Sequence, residues 1–281
     1  MTIKPFLKWA GGKTSLLPEI VKRLPPEFDS YYEPFLGGGA LFCYLDLTGK
    51  LVGLNDSNEE LINCWRNLKH FCEELITELS DPLYTNDKDT YLAIRVWDRL
   101  DWYGDSTKVS HIEKAARFIF LNKTCFNGLY RVNSKGHFNV PFGKYKNPTI
   151  CNSELLRKIS AKLSRECVEI TSCDYSEVLP STPNSFVYLD PPYDVLNETS
   201  NFTSYTKNKF GKGEQIKLSE YVFKLNNLGV KFLLSNSDTP FINDLYKNFI
   251  VEKIQCKRSI NCKGDKRGKI SEVLIRNYEV L

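Results

Sequence analysis

The most informative segment of the 281-residue chain is Asp190-Pro191-Pro192-Tyr193, which directly follows the apolar run 185–189. The two prolines lack backbone N–H donors and stiffen the chain, so a carboxylate, a carbonyl and an aromatic ring are held in a fixed relation. Asp190 and the Pro191 carbonyl can accept hydrogen bonds from an exocyclic amino group, and the Tyr193 ring can stack on a planar base. The segment suits an amino-bearing base, although a strand-ending turn capped by an aspartate would show the same residues.

A glycine-rich turn is the second signal. The segment Glu33-Pro34-Phe35-Leu36-Gly37-Gly38-Gly39 stands between a predicted strand and a predicted helix, and Asp56 ends the next strand, 17 residues after Gly39. Glycines permit a tight turn and close approach of a ligand to the backbone, and nucleotide-binding sheets place an acidic residue on the ribose hydroxyls at about this distance. The pattern is neither G-x-G-x-x-G nor a Walker loop. Taken singly, each feature also fits an ordinary helix entrance.

The N-terminal segment 6–13 combines Trp9, two lysines (Lys8 and Lys13) and two glycines. An indole, ammonium groups and an open backbone suit a small, anionic, partly apolar ligand. A flexible arm without a function is the alternative interpretation of this segment.

Alternating strands and helices must position these segments. The sequence predicts strands at 30–35, 51–55, 168–171, 185–189 and 229–234, and two closing strands near 249–254 and 271–278. Ser57, with Glu60 three residues later, is the predicted N-cap of the helix after the second strand. Such alternation is typical of an α/β layered sheet with its sites at the carboxyl ends of the strands. The polar segment 194–213 suits either a lid or a plain surface loop.

The segment 57–148 has a different character. It shows helical patterns near 89–103 and 111–122, and alternation around Asn133-Ser134-Lys135-Gly136 predicts a β-hairpin. We interpret 57–148 as a mainly helical insertion, and 1–56 together with 149–281 as one discontinuous domain.

Charge is unevenly distributed in a chain whose formal net charge is +4. The stretch 122–148 has five basic and no acidic residues, and 253–269 has seven basic residues against Asp265 alone. Two such stretches suggest a polyanionic partner, although solvated loops would look the same.

The composition excludes several classes of protein. Nine scattered cysteines contain no C-x-x-C pair and the three histidines are far apart, which argues against a disulfide framework, structural zinc and His-based nucleophilic triads. No apolar run of about 18 residues could span a membrane, and no secretory leader is visible at the N-terminus. We therefore expect a protein of the cell interior that uses no metal.

Together these motifs resemble one family, the Dam-type DNA adenine-N6 methyltransferases of the D12 class, α-group enzymes that use S-adenosylmethionine. The resemblance runs from about Phe6 to Tyr278 and is carried by six segments in the same order, namely 6–13, 33–39, 55–56, 127–133, 138–145 and 190–193. It implies a Rossmann-like methyltransferase sheet with an inserted target-recognition domain at 57–148.

The resemblance also implies roles for individual residues. Asp190, Pro191, Pro192 and Tyr193 would be catalytic. The implied cofactor contacts are Trp9, Lys13, Phe35, Gly37, Gly39, Asp56, Asp174 and Asp190. The implied DNA contacts are Lys8, Lys123, Phe126, Asn127, Leu129, Arg131, Asn133, Pro141 and Lys144.

The implied reaction is transfer of a methyl group to N6 of an adenine flipped out of duplex DNA, within GATC. A restriction endonuclease acting on the same site is an implied partner, and the implied setting is the cytoplasm of a bacterium or of a phage host, near the nucleoid. An N4-cytosine DNA or N6-adenine RNA methyltransferase is the first alternative, although such relatives more often carry Ser or Asn where Asp190 stands. A catalytically silent DNA-binding relative is the second. Cytosine-C5 chemistry needs a Pro-Cys pair, which the chain lacks.

Overall fold

The computed structural model describes residues 3–165, 167–194, 210–257 and 269–280. The strands of this part of the chain form one seven-stranded sheet: β1 (Ser30–Glu33), β2 (Leu51–Asn55), β3 (Val168–Thr171), β4 (Ser185–Leu189), β5 (Lys231–Ser237), β6 (Ile250–Lys257) and β7 (Lys269–Arg276). Each predicted strand is present, and the predicted α/β class is confirmed. The predicted loop at 194–213 and the basic stretch at 253–269 lie largely outside the described residues.

The strand order is β3-β2-β1-β4-β5-β7-β6. The first five strands are parallel, and β7 is antiparallel to both of its neighbours. From β1 the chain builds outward to β2 and β3, and it returns through β4 and β5 on the other side of β1. Ligands of open α/β sheets bind at such a reversal, outside the carboxyl ends of the strands. The glycine turn follows β1 and Asp190 follows β4, so both emerge at this position.

Helices cover the sheet and form most of the segment 57–148. They are α1 (Leu17–Val21), α2 (Ala40–Tyr44), α3 (Glu59–His70), α4 (Cys72–Leu79), α5 (Lys88–Arg95), α6 (His111–Thr124), α7 (Ser153–Leu163), α8 (Lys212–Asn227) and α9 (Pro240–Leu245). One hydrophobic cluster includes residues of α3 to α7 and of β1 to β3, and a second includes residues of α8 and α9. The segment 57–148 therefore packs directly on the sheet. No helix among the described residues is long and apolar enough to cross a membrane.

The helix predicted over 89–103 is wrong beyond Arg95, where two short 3-10 turns follow. The buried guanidinium of Arg117 donates to the carbonyls of Ile94 and Arg95, at 3.1 and 2.8 Å. Those carbonyls lie at the C-terminus of α5 and need partners from outside the helix. A long-range contact therefore ends α5 where local propensity would continue it.

The predicted N-cap of α3 is also wrong by one residue. Asn58 caps the helix, because its side chain accepts a hydrogen bond from Leu61 N at 3.1 Å. Asp56 in turn accepts from Asn58 N at 2.9 Å, which keeps the chain extended at Asn58. Ser57 is left exposed.

The predicted hairpin is present only as a turn closed by one isolated bridge between Val132 and Phe138. The side chain of Asn133 accepts from Lys135 N and His137 N, at 3.0 Å each. The turn is therefore held by this side chain together with the backbone hydrogen bond from Asn133 N to the His137 carbonyl at 2.9 Å, and the described residues on either side form no ladder.

Candidate active site

The proline loop, residues 190–194, begins where the buried central strand β4 ends. The carboxylate oxygen Oδ1 of Asp190 lies 2.6 Å from Lys13 Nζ and accepts a hydrogen bond from Ser235 Oγ at 3.0 Å. Lys13 Nζ also donates to the Gly11 carbonyl at 2.6 Å and lies 4.4 Å from the centroid of the Tyr193 ring. The fold thus joins the N-terminal segment, β4 and β5 around a single carboxylate. The N-terminal segment is no free arm, because Lys13 is buried.

Two carboxyl groups at this position have perturbed acidity. Burial raises the pKa of Asp190, while the Lys13 ammonium and the Ser235 hydroxyl lower it. Burial also raises the pKa of Glu33, at the end of β1, to about 8, although the Tyr31 hydroxyl donates to it at 2.8 Å. At neutral pH Glu33 therefore holds a proton, whereas the Lys13 ammonium beside Asp190 favours the ionised form of that carboxyl.

The glycine turn needs its glycines for both conformation and space. Gly37 and Gly39 have φ of +48° and +63°, in the left-handed region that favours glycine. A Cβ at Gly37 would lie 2.7 Å from Trp9 Cδ1, and one at Gly39 would lie 2.7 Å from Trp65 Cη2. The Trp65 indole also donates to the Gly37 carbonyl at 3.2 Å. The turn is therefore clamped between two tryptophans.

Asp56 connects this turn to the end of β2. Its Oδ2 accepts from Gly37 N at 2.9 Å, and its Oδ1 accepts from Asn58 N at 2.9 Å. Each oxygen keeps one further lone pair, so the carboxylate can still accept from the two hydroxyls of a ribose. The remaining acceptor capacity of this partly buried carboxylate, next to a glycine turn at the end of a parallel strand, fits a nucleoside-type cofactor.

The other cofactor candidates lie along the same edge of the sheet. The Trp9 ring stacks on Tyr130 with centroids 5.8 Å apart, and the Phe35 ring packs on Tyr175 at 5.0 Å. Asp174 follows β3 and is exposed, but its carboxylate accepts from Ser176 N at 2.9 Å and so caps its own turn. Within the described residues no cluster of three or more His, Cys, Asp or Glu side chains could hold a metal ion.

Two DNA candidates, Lys8 and Lys123, meet in a basic groove of about 480 Å³ that is also lined by Tyr145 and Lys146. Lys8 Nζ lies 4.2 Å from the centroid of the Tyr145 ring. Burial and the nearby Lys8 charge lower the pKa of Lys123 to about 8. The groove presents closely spaced positive charge to a polyanion.

The remaining DNA candidates form what we call the recognition surface, residues 126–144. Phe126 is 49% exposed and Asn127 has φ of +55°. Arg131 is exposed, and its Nε donates to Asn139 Oδ1 at 2.7 Å. Pro141 lies beside Phe126, because its carbonyl accepts from Phe126 N at 2.8 Å.

Three other members of this set differ in what they present. Lys144 is exposed and Leu129 is partly buried. The side-chain oxygen of Asn133 accepts hydrogen bonds from two backbone N–H groups of its own turn. Asn133 therefore has a structural role in the turn, whereas Phe126 exposes its ring.

Residues that the motifs did not reveal complete the site. Ser235 and Asn236 lie near the C-terminal end of β5, and Gln215 lies on α8. Glu272 on β7 accepts from the Tyr193 hydroxyl at 3.0 Å. The run Ser235-Asn236-Ser237-Asp238 at the end of an apolar strand is the signal for these residues in the sequence. It indicates no role by itself, because the sequence does not show that β5 lies beside β4.

A mostly parallel α/β sheet with a glycine turn, an acidic strand end and the Asp190 loop at its chain reversal is consistent with a Rossmann-like methyltransferase. The chain belongs to the family described as D12 class N6 adenine-specific DNA methyltransferase, whose family model matches residues 9–260. The resemblance found in the motifs is thus confirmed.

Full-length relatives agree with this assignment. The chain is 43% identical over 279 residues to the Type II methyltransferase M1.LlaDCHI of Lactococcus lactis subsp. cremoris, covering 99% of this chain and 96% of the relative. It is 45% identical over 291 residues to the Type II methyltransferase M.MjaIII of Methanocaldococcus jannaschii, covering 99% and 100%. It is 34% identical over 276 residues to a DNA adenine methylase of Haemophilus influenzae, covering 96% and 92%.

Proposed function

We propose that this chain transfers the methyl group of S-adenosylmethionine to N6 of an adenine flipped out of duplex DNA, within GATC, leaving S-adenosylhomocysteine. This is the activity of a site-specific adenine DNA methyltransferase, EC 2.1.1.72. The observation that supports it most is the Asp190 carboxylate at the chain reversal of the sheet. It lies at the edge where Asp56 anchors the glycine turn.

The cofactor would occupy the edge formed by β1, β2 and β3. Asp56 would accept from its ribose hydroxyls, and Asp174 would contact its adenine. Trp9 and Lys13, with Phe35 and the glycines Gly37 and Gly39, would surround its methionine end. When bound, the sulfonium supplies a methyl group that is already activated for transfer.

The residues of the chain must then activate a weak nucleophile, because the adenine N6 lone pair is delocalised into the ring. Hydrogen bonds from the amine to Asp190 and to the Pro191 carbonyl favour a pyramidal nitrogen and expose this lone pair. Asp190 also stabilises the positive charge that develops on N6 as the methyl group arrives, which is preorganised electrostatics. Pro192 stiffens the loop, and Tyr193 stacks on the flipped base.

The segment 57–148 would act as the target-recognition unit. Arg131 and Lys8 would each read a guanine edge in the major groove, and Leu129 and Pro141 would contact a thymine methyl group. Phe126 would wedge into the base stack, which assists extrusion of the target. The phosphates would be bound by Lys123, Asn127 and Lys144, and Asn133 would hold the turn against the DNA. For Arg131 to reach a base, its hydrogen bond to Asn139 must be exchanged.

The test is incubation of labelled S-adenosylmethionine with two duplexes of equal composition, one containing GATC and one with these four bases permuted. We expect label on N6 of adenine in the GATC duplex, and none after Asp190→Ala although the variant remains folded. Label on cytosine or on RNA alone would refute the adenine DNA assignment. Equal labelling of both duplexes would refute only the recognition of GATC.

Two further expectations follow from the proposed reaction. A DNA substrate would place the enzyme in the cytoplasm, with the nucleoid. A restriction endonuclease that cuts the same site would be blocked by the methyl group, so plasmid isolated from cells expressing the chain should resist such an enzyme. Sensitivity of this plasmid would remove the implied endonuclease as a functional partner.

A further inference from the structure

Three consecutive polar side chains at the end of β5 contact the proline loop. Ser235 Oγ donates to Asp190 Oδ1 at 3.0 Å, and Ser237 Oγ donates to the Asp194 carbonyl at 2.8 Å. Between them, Asn236 Oδ1 accepts from Asp194 N at 3.0 Å. The three side chains are buried, so their hydrogen bonds are shielded from competition with water.

Helix α8 extends this network to the middle of the loop. Asn236 Nδ2 donates to Gln215 Oε1 at 3.0 Å, and Gln215 Nε2 donates to the Pro192 carbonyl at 2.9 Å. Both ends of the Gln215 amide are used, which fixes its orientation. Because the two prolines offer no backbone donors, the loop cannot build such a network from its own main chain.

We propose that Ser235 is a positioning residue for methyl transfer, which fixes the Asp190 carboxylate, while Asn236 and Gln215 fix the loop that carries it. The inference rests on the proposed function. It adds a role for β5 and α8, outside the motifs that identify the family.

The geometry at the carboxylate carries this proposal. Lys13 and Ser235 both reach Oδ1 of Asp190, which leaves Oδ2 as the acceptor for a substrate amine. Lys13 has a long flexible side chain and can follow a rotating carboxylate. Ser235 lies on a buried strand, and its Oγ also contacts the Leu189 carbonyl and the Tyr188 hydroxyl, each at 3.4 Å, so the position of this oxygen is fixed from several sides. The orientation of the Asp190 carboxylate therefore depends on Ser235 more than on Lys13.

The same hydrogen bond has an electrostatic consequence. The titratable groups around the Asp190 carboxylate are Lys13, Glu33, Tyr188 and Tyr193, with Glu272 in contact with Tyr193. The Ser235 hydroxyl stabilises the ionised form, so its removal raises the pKa of Asp190 further. Since the reaction needs the carboxylate, the acid limb of the rate profile moves to higher pH.

The experiment compares Ser235→Ala with Ser237→Ala. Both variants lose one buried hydroxyl of β5 that is bonded to the loop, but only Ser235 contacts the carboxylate. In single-turnover assays we expect Ser235→Ala to slow methyl transfer about tenfold, the usual effect of losing one hydrogen bond to a charged group. We expect its acid limb to shift upward and its Kd for DNA and S-adenosylmethionine to stay within about twofold. Ser237→Ala should lower Tm to a similar extent and leave the acid limb in place.

Several outcomes would overturn the inference. A wild-type rate and acid limb in Ser235→Ala would do so, and so would the same shift in both variants. If the wild-type chain transfers no label to adenine, the proposed function fails. The inference is then judged by ¹³C NMR titration of the Asp190 carboxyl, which is expected to move upward in Ser235→Ala alone. An unchanged titration would refute the positioning role whatever the activity.

Discussion

The proline loop and the recognition surface are both short irregular segments, but they are held in different ways. The proline loop follows a buried strand and is bonded to buried side chains of β5 and α8. The recognition surface is closed by the isolated bridges Cys125–Phe142 and Val132–Phe138, and it exposes Phe126 and Arg131. Methyl transfer to a single atom requires one fixed arrangement of the catalytic groups. Recognition of DNA requires side chains that can exchange their intramolecular hydrogen bonds for bonds to bases. The fold supplies rigidity to the first and freedom to the second.

The largest effect is expected from a substitution that removes the negative charge of the Asp190 side chain but keeps its shape. Asp190→Asn keeps the shape but removes the charge, and should slow methyl transfer by a hundredfold or more, on the order of 3 kcal/mol. Single-turnover rates and filter-binding Kd values measure this, and DNA affinity should remain near that of the wild type.

The matched control is Asp174→Asn, since Asp174 also follows a parallel strand but is exposed and caps its own turn. We expect it to change only the KM for the cofactor. A comparable loss of rate in this variant would mean that the strand-end carboxylates share the catalytic role.

The tight packing of the glycine turn predicts the next largest effect, a loss of stability. Gly39→Ala adds left-handed strain of about 1–2 kcal/mol, and its Cβ meets the fully buried Trp65, which adds about 1–3 kcal/mol of overpacking. Gly49→Ala has a similar φ of +75° and nothing within 4 Å, so it should show the strain alone. Urea unfolding of both variants measures the difference, and equal free energies of unfolding would contradict the tight packing of the glycine turn.

A smaller and more selective effect is expected on the recognition surface. Arg131→Ala should reduce discrimination at one base pair by about 1–3 kcal/mol and leave the rate on an already mismatched site nearly unchanged. A set of duplexes with single substitutions in GATC measures this. Lys144→Ala is the control, because a lost phosphate contact should weaken binding to all duplexes alike. A uniform loss in Arg131→Ala would assign Arg131 to the phosphates.

The smallest effect concerns pH. Lys123, with its pKa lowered to about 8, is charged at pH 7 and largely neutral at pH 9, so DNA affinity should fall across this range. The slope of log K against log salt should decrease by about 0.9 between these limits. Lys123→Arg stays charged throughout and should flatten the pH dependence. The same dependence in this variant would place the titrating group elsewhere.

The sequence predicted the strands and the motifs well because both are local. The five residues of β4 are all apolar or small and are buried, and Asp190 follows them directly. Helix boundaries were less predictable, as α5 shows, because its end is decided by Arg117 from another helix. The N-cap at Asn58 was missed for a different, local reason: Asp56 accepts from Asn58 N two residues later, which moves the start of the helix by one residue.

By itself, the sequence determined which residue types stand at the strand ends and in which order the motifs follow one another. It thereby determined the family. Only the tertiary structure decided that Lys13 and Ser235 meet at Asp190, that β7 lies between β5 and β6, and that Gln215 reaches the Pro192 carbonyl. The physical reason is the distance along the sequence over which each kind of interaction acts. Alternation and turn residues act over a few positions, whereas these contacts depend on strand order and register, which are set by burying whole strands and helices together.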